Sequence, residues 1–218
     1  SWVAYSHPAG VARPVLGGLQ LTSADFLQTG SVVIPVSGLA SVAEFEAQFD
    51  VYVGGGSGGE GVSFNLGELP RTYFGERGVR SGLSVQLLAA SNRVEVWYAN
   101  ALLARSDEQL LLHSAAFTRV LISYGAGSGL HVVVDGKLVI ERVAMDSWAP
   151  TSAWSLGFGA RTAASRYAVH VIDNVRFRGG SAYLSQAVPV EVVLSGQQST
   201  TDGVTFEMYA EPVVSLLR

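Results

Sequence analysis

Cysteine is absent from this chain of 218 residues. Its absence excludes a disulfide framework and catalysis by a thiolate, and it removes cysteine usage as a guide to the compartment. The four histidines do not have the spacing of a metal site, such as His-x-x-x-His. Without cysteine to complete a ligand set, they predict no zinc centre.

Charged residues are scarce as well, at 15% of the chain, and the 14 lysines and arginines are scattered. A nucleic-acid-binding protein presents a basic stripe and a peripheral membrane protein a polybasic segment, so we expect neither partner. Apolar runs such as residues 132–134 are too short to insert into a bilayer. Hydrophobic residues make up 48% of the chain, which suffices for a large core and excludes intrinsic disorder.

Alternation of apolar and polar residues dominates what remains. In residues 44–53, Phe45, Ala47, Phe49 and Val51 share one face with Val53, and acidic residues take much of the other face. This period of two is typical of a half-buried strand. Further strands are predicted at 19–22, 31–36, 62–66, 83–88, 93–98, 119–124, 130–134, 138–143, 154–160, 169–177, 188–194 and 203–209.

Turn chemistry supports an all-β fold. Asp135-Gly136 separates two apolar runs and predicts a two-residue hairpin. The 25 glycines suit a turn-rich β protein better than long helices. Only residues 102–116 are expected to hold a helical turn. Strands at this spacing predict a sandwich or a barrel.

Three stretches together resemble the concanavalin A-like lectin/laminin-G superfamily. They are residues 49–53 with 59–67 (FDVYV and GEGVSFNLG), 129–140 (GLHVVVDGKLVI), and 156–162 with 170–175 (LGFGART and HVIDNV). The resemblance covers roughly residues 15–178. It implies a jelly-roll β-sandwich of two antiparallel sheets, and an extracellular or cell-surface module for recognition or adhesion that is not an enzyme.

The resemblance also implies a carbohydrate site. Glu60 stands where legume lectins have an aspartate that accepts hydrogen bonds from sugar hydroxyls, although glutamate is longer by one methylene. Gly61 follows it in the same loop, and Asn65 and Arg161 are weaker candidates. A glycan or a glycoprotein is therefore the expected partner, together with neighbouring domains of the parent protein.

The metal pair of legume lectins is not expected here. The strand that carries its acidic ligands resembles residues 85–88, where Gln86 and Leu88 replace both acids. Hard cations such as calcium need several oxygen ligands, usually including carboxylates. We therefore predict no cofactor, and no tight calcium at this strand.

The chain changes character near residue 180. Residues 178–181 (RGGS) are predicted to link a sandwich of residues 1–180 to a β segment of residues 181–218. The tail resembles the closing strands of an immunoglobulin-like IPT/TIG domain. Because the chain begins at Ser1 rather than Met, we expect a piece of a longer protein in which the sandwich is inserted into such a domain. Strands 19–22 and 169–177 should then be neighbours. The alternative is that the tail adds strands to the sandwich.

Catalytic motifs are incomplete. Glu44, Glu46 and Asp50 share one strand face, as do the carboxylates of sandwich glycosidases, but they do not match the family's Glu-x-Asp spacing, so a solvated face is favoured. Residues 54–61 contain Gly-x-Gly-x-x-Gly, yet a strand follows where a phosphate site needs a helix.

A second group of polar residues lies late in the chain. Arg161, His170 and Asp173 could hold a His–Asp dyad, but no nucleophile elbow accompanies them. An internal Arg161–Asp173 ion pair is favoured. Among the aromatic residues, Trp97, Tyr98, Trp148 and Trp154 are candidates for stacking on sugars, with at least half expected in the core. A sandwich that is purely structural, and less favourably a glycoside hydrolase, remain alternatives to recognition.

Overall fold

The computed structural model describes residues 2–7, 11–36, 38–107 and 110–180, and the backbone of residues 190–194. These residues form strands and one 3₁₀ turn (Leu39–Ser41), and none of them forms an α-helix. The described part therefore contains no helix long and apolar enough to cross a membrane. The strands are β1 (Val3–His7), β2 (Arg13–Val15), β3 (Gly18–Thr22), β4 (Thr29–Pro35), β5 (Glu44–Gly54), β6 (Gly61–Gly67), β7 (Leu83–Leu88), β8 (Arg93–Tyr98), β9 (Ala101–Arg105), β10 (Thr118–Gly125), β11 (Gly129–Val134), β12 (Lys137–Val143), β13 (Ser155–Arg161), β14 (Val169–Gly180) and β15 (Val190–Leu194).

The strands form two antiparallel sheets. The first has the order β1-β4-β13-β6-β7-β8-β9, and the second has the order β12-β11-β10-β5-β14-β3-β2, with β15 beside β14. Every strand pair in both sheets is antiparallel. The predicted two-sheet sandwich is confirmed.

The core lies between the sheets and follows the predicted alternation. The apolar face of β5 is buried along its whole length. Phe49 from β5 stacks on Phe64 of the opposite sheet at a centroid distance of 5.8 Å and meets Phe158 edge-on at 4.9 Å. Packing of these rings across the interface holds the sheets face to face.

The central strands of the first sheet, such as β6 and β7, are buried on their outer face as well. That face carries a stripe of polar side chains that are fully shielded from solvent: Ser31, Ser63, Asn65, Ser84 and Gln86. Residues 68–82, here called the covering loop, lie over the stripe and give hydrogen-bond partners to four of these side chains, whereas Ser84 Oγ and Gln86 Oε1 have no partner among the described residues. The amide of Val79 donates to Asn65 Oδ1 (3.0 Å), and Gln86 Nε2 donates to the Arg77 carbonyl (2.7 Å).

The covering loop packs closely against Gly159 of β13. A Cβ added to Gly159 of β13 would lie 2.5 Å from Cδ2 of Phe74 and 2.7 Å from the Gly75 carbonyl oxygen. No side chain fits there without moving the loop, so glycine is required at this position.

The predicted helical turn within residues 102–116 is wrong for the part of that segment that the structure describes. Ala101–Arg105 form β9, which pairs with β8. Ala99 and Asn100 both have positive φ, 45° and 68°. Two such residues form the kind of turn that closes a two-residue hairpin, so the chain reverses just before the segment in which a helical turn was expected and enters that segment as a strand. The Asp135-Gly136 hairpin was predicted correctly, with φ of 48° and 78°.

Strands β3 and β14 are neighbours in one sheet, as predicted for residues 19–22 and 169–177. β5 pairs along one edge of β14, whereas β3 and β15 share the other edge. β15 pairs with residues 175–179, so this described part of the tail adds a strand to the sandwich, as in the alternative prediction. The predicted strand at 203–209 and the IPT/TIG resemblance lie outside the described residues, and the boundary at residue 180 stays a prediction.

Candidate ligand-binding site

The loop that joins β5 to β6 lies at one end of the sandwich. This glycine loop (residues 55–60) is flanked by the end of β13 and the start of β14, because Arg161 pairs with Gly61 and Val169 pairs with Gly54. The register therefore brings together three of the four predicted site residues, which are Glu60, Gly61 and Arg161.

Backbone contacts hold Glu60 in place. Its amide donates to the Arg161 carbonyl (3.1 Å), and its own carbonyl accepts from the amide of Ala90 (3.4 Å). The next residue, Gly61, has a φ of 138°, and a Cβ there would overlap the Leu87 carbonyl oxygen. Only glycine fits this position, so Gly61 fixes the direction in which Glu60 leaves the sheet.

Arg161 pairs with Glu76, and not with Asp173 as the sequence suggested. Its Nε and Nη2 donate to the two oxygens of Glu76 at 2.8 and 2.7 Å. The Glu76 side chain is 1% exposed and that of Arg161 is 44% exposed. The hydrogen bond to Glu76 raises the pKa of Arg161, and the charges of Glu76 and Glu60 add to that rise against the effect of burial. Arg161 is therefore a cation bound to the carboxylate of Glu76 and influenced by the charge of Glu60.

Asn65 lies away from the other three. Its side chain is fully buried on the outer face of β6, where Nδ2 donates to Ser63 Oγ (3.0 Å) and Oδ1 accepts from Val79. This amide anchors the covering loop, and in this arrangement it is not accessible to a ligand.

An aromatic pair, which the sequence analysis did not single out, borders the glycine loop. Phe26 and Tyr167 meet edge-on at 4.6 Å, and Phe26 is 51% exposed. The amide of Tyr167 donates to Ser57 Oγ (3.2 Å). The preceding residue, Arg166, donates from Nη1 to the carbonyl of Ala90 (3.0 Å). The position of these rings in polar loops was the only available signal in the sequence.

The aromatic residues proposed from the sequence lie elsewhere. Tyr98 and Trp154 are buried in the core, as expected for at least half of the set. Trp148 packs partly buried against the core, and the ring of Trp97 is covered by the guanidinium of Arg80 at 3.9 Å. None of the four borders the glycine loop through a described contact.

Two histidines lie beneath the glycine loop. A Cβ on Gly59 would stand 2.5 Å from Cε1 of His170, and one on Gly58 would stand 3.4 Å from the His113 ring. Burial, and then the charge of His113, lower the pKa of His170 to about 3. Nδ1 of His170 bonds to Thr22 rather than to Asp173, so the described residues form no His–Asp dyad there.

The acidic face of β5 is divided between two exposed glutamates and an aspartate that is engaged in hydrogen bonds. Glu44 and Glu46 are exposed, whereas Asp50 accepts two hydrogen bonds from Arg119 (2.8 and 3.1 Å) and one from Asn174 (2.8 Å). Burial alone would raise the pKa of Asp50, but these hydrogen bonds outweigh it and keep that pKa below its ordinary value. Asp50 ties β5 to its neighbours.

The strand that would carry the lectin metal ligands is β7. Leu88 is buried, and Gln86 holds the covering loop through Arg77. Within the part of the chain that the structure describes, no three histidine, aspartate or glutamate side chains are grouped so that they could hold a metal ion. The expectation of no tight calcium stays a prediction.

Comparison with solved structures shows which known fold the chain has. No protein-family model and no curated protein sequence matches the chain. The metal-free lectin I-B4 of Griffonia simplicifolia is similar in structure, with a TM-score of 0.61 at 17% identity, covering 81% of this chain and 92% of the lectin. The VIP36 exoplasmic/lumenal domain bound to Ca²⁺ and Man3GlcNAc has a TM-score of 0.59 at 15% identity over 81% and 82% of the two chains.

A third similar structure is the carbohydrate-binding module CBM66 of Bacillus subtilis, with a TM-score of 0.52 at 14% identity over 81% of this chain and 94% of the module. These similarities show that the chain has the concanavalin A-like lectin fold. At such identities the fold is what is shared.

Proposed function

We propose that the chain is a non-catalytic carbohydrate-recognition module, and that the end of the sandwich around the glycine loop contacts the sugar. The supporting observation is that Glu60, Arg161 and the Phe26–Tyr167 pair lie together at this end, on backbone held by hydrogen bonds and strand pairing. A preformed loop loses little conformational freedom when it binds a ligand.

The chemistry of these groups matches that of a sugar. A carboxylate accepts hydrogen bonds from hydroxyl groups, and a guanidinium donates them. Aromatic rings cover the apolar C–H face of a pyranose by burying its surface. Glu60 and Arg166 supply the two polar roles beside Tyr167. We assign Arg161 an indirect role, because its guanidinium already binds Glu76.

The similar structures suggest which glycan to test first and where such a module works. The VIP36 domain is exoplasmic or lumenal and was solved with mannose-containing glycans, and CBM66 is a carbohydrate-binding module. By analogy, we propose mannose oligosaccharides as the first ligands to test, and a secreted, lumenal or cell-surface location within a larger protein.

A purely structural sandwich is the second candidate. It is favoured by the internal roles of Asn65 and Arg161, since one anchors the covering loop and the other holds a buried carboxylate. A glycoside hydrolase is not proposed, because Asp50 is engaged by Arg119 and Asn174 and the acids at positions 44 and 46 stand exposed without it.

The decisive experiment is a glycan array with the chain in calcium and in chelator, followed by titration of the best ligand. We expect Glu60→Ala to weaken binding about tenfold or more, since hydrogen bonds to a charged group are among the stronger ones. Glu68→Ala is the matched control, because Glu68 is an exposed glutamate just beyond the far end of β6. Equal affinity in the two variants would refute the site.

The aromatic contribution is tested separately. Tyr167→Ala should weaken binding of the same glycan by about tenfold, which is the scale of a base-stacking or sugar-stacking ring contact. Tyr73→Ala removes an exposed tyrosine that stacks on His7 of β1, three strands from β6 in the first sheet, and should leave the affinity unchanged. No binding by any glycan would favour the structural alternative.

A further inference from the structure

A second cleft opens at the opposite end of the sandwich. Its volume is about 750 Å³, and Val42, Tyr124, Ser128, Arg142, Asp146 and Trp148 are among its lining residues. Tyr124 pairs with Phe45 near the start of β5, whereas the glycine loop follows the end of that strand. An 11-residue strand spans about 33 Å, so the two sites are far apart.

One wall of this cleft is held rigidly. Residues 144–154 connect β12 to β13 without regular structure. The hydroxyl of Tyr98 donates to the Ser147 carbonyl (2.7 Å), and the indole of Trp148 donates to the Val42 carbonyl (2.9 Å). The polar ends of two core rings thus fix an irregular segment. The cleft is formed before any ligand arrives, which favours binding.

The floor of the cleft is aromatic. Tyr124 and Trp148 lie 4.9 Å apart between ring centroids, and Phe45 packs behind both at 6.0 and 5.5 Å. Trp148 is only partly buried, so part of its ring surface faces the cleft. A ligand with an apolar face can bury that surface.

The mouth of the cleft is polar and carries both signs of charge. Arg142 has a φ of 54°, and Gly129 lies so close to it that an added Cβ would stand 2.9 Å from its carbonyl carbon. Asp146 is exposed on the other side, near enough to Tyr124 that, after burial and Tyr98, its charge raises the pKa of the Tyr124 hydroxyl. Arg142 and Asp146 are the charged residues of the lining, and Arg142 also pairs with the exposed Glu141 (3.7 Å), so the mouth has no excess positive charge.

We propose that this cleft is a second binding site, and that it takes a short neutral oligosaccharide. Its volume lies within the range of about 300–1,000 Å³ that is usual for small-ligand sites. An aromatic floor suits the C–H face of a sugar, and the Arg142, Asp146 and Ser128 side chains supply donors and acceptors for hydroxyl groups. An acidic ligand is disfavoured, because it would be repelled by the carboxylate of Asp146 at the mouth.

This inference is independent of the glycine-loop proposal and is tested on the whole chain. Neutral trisaccharides of glucose, mannose and galactose are titrated while tryptophan fluorescence and the ¹⁵N–¹H shifts of Ser128 and Asp146 are followed. At least one trisaccharide should produce saturable changes of both signals. Shifts confined to residues 55–60 would overturn the proposal, as would no saturable change with any of the three.

Variants identify the residues that bind. Asp146→Ala and Arg142→Gly remove exposed charges, and glycine accepts the positive φ at position 142, so both proteins should melt as the parent does. Each should weaken the bound trisaccharide by about tenfold. Ala149→Trp fills the mouth with a bulky side chain and should abolish binding. Glu68→Gln removes an exposed carboxylate at the same end of the sandwich, outside the cleft lining, and should have no effect.

The preference of the cleft for a neutral ligand is tested with an acidic sugar. A trisaccharide of galacturonate should bind the cleft more weakly than its neutral galactose counterpart. Tighter binding of the acidic sugar, or unchanged affinity in both charge-removing variants, would show that the cleft does not recognise a neutral glycan in this way.

Discussion

Oγ1 of Thr22 lies 2.6 Å from Nδ1 of His170 where β3 pairs with β14, and both side chains are fully buried. The same hydroxyl donates to the carbonyl of Ala168 (3.0 Å). Because a hydroxyl has a single proton, Nδ1 of His170 must carry a proton and donate it to Thr22. Nε2 is buried and has no partner among the described residues. This histidine is therefore neutral, and protonating it would place a cation inside the sandwich.

The first prediction concerns pH. Burial lowers the pKa of His170 from 6.5 to about 3, so the unfolded chain binds this proton more readily than the folded one. The contribution of neutral His170 to the free energy of unfolding is complete above about pH 6.5 and is lost as the pH falls toward 3. At pH 5 the loss is about 2 kcal/mol. Urea unfolding at pH 7.5 and pH 5 measures the loss.

The control for this prediction is His170→Gln, which cannot titrate. Its free energy of unfolding at pH 7.5 will be lower than that of the parent, but it should fall less between the two pH values. The same pH dependence in both proteins would show that His170 is not the group responsible.

The second prediction concerns the ion pair beside the glycine loop. Arg161→Gln leaves the carboxylate of Glu76 buried with a weakened set of donors, and the free energy of unfolding should fall by about 2–3 kcal/mol, because breaking a buried pair strands its charge. Glu141→Gln removes an exposed pair with Arg142 (3.7 Å) and should cost less than about 1 kcal/mol. Denaturant titration of both variants checks the difference, and equal small losses would contradict it.

The third prediction concerns the contact between the covering loop and Gly159 of β13. Gly159→Ala forces a methyl group against Phe74 and the Gly75 carbonyl, and such overpacking should cost about 1–3 kcal/mol. Gly127→Ala adds a methyl group in open space and should change the free energy of unfolding by less than about 0.5 kcal/mol. Proteolysis within residues 68–82 should also become faster in Gly159→Ala. A loop that stays as resistant as in the parent would argue that it does not rest on this glycine.

The fourth prediction concerns calcium. Gln86 and Leu88 stand where the resembled lectins have acids, so millimolar calcium should leave the melting temperature unchanged. Binding to the native state must stabilise it. A rise of several degrees that a chelator reverses would show that this chain holds calcium with other ligands.

Much of the fold could be predicted from local pattern. The alternation in residues 44–53 predicted both the strand and its buried face, because side chains alternate across a strand whatever its partners are. The Asp135-Gly136 hairpin was likewise encoded by two adjacent residues. The Ala99-Asn100 turn was missed because alanine rarely adopts positive φ and Asn100 is not followed by glycine, so the Asn-Gly signal is absent and the turn depends on the pairing of β8 with β9.

Less of the candidate site than of the fold could be predicted from the sequence. Glu60 and Gly61 were found through their likeness to a known loop, and the register of β6 with β13 puts Arg161 beside them. Asn65 was proposed from the same motif, but it lies on the outer face of β6 under a loop whose path no local pattern reveals. The Phe26–Tyr167 pair joins two loops distant in sequence, and so it escaped notice.

By itself, the sequence determined that this protein is an all-β sandwich or barrel with little helix, because residue periodicity and turn chemistry act over a few neighbouring positions; the choice of a two-sheet jelly roll came from the resemblance to a known family. Only the tertiary structure decided which polar groups remain exposed to a ligand and which are engaged inside. Glu76 and Arg161 stand 85 positions apart, as do other partners drawn from separate strands and loops. Such pairs form only when packing brings their segments together.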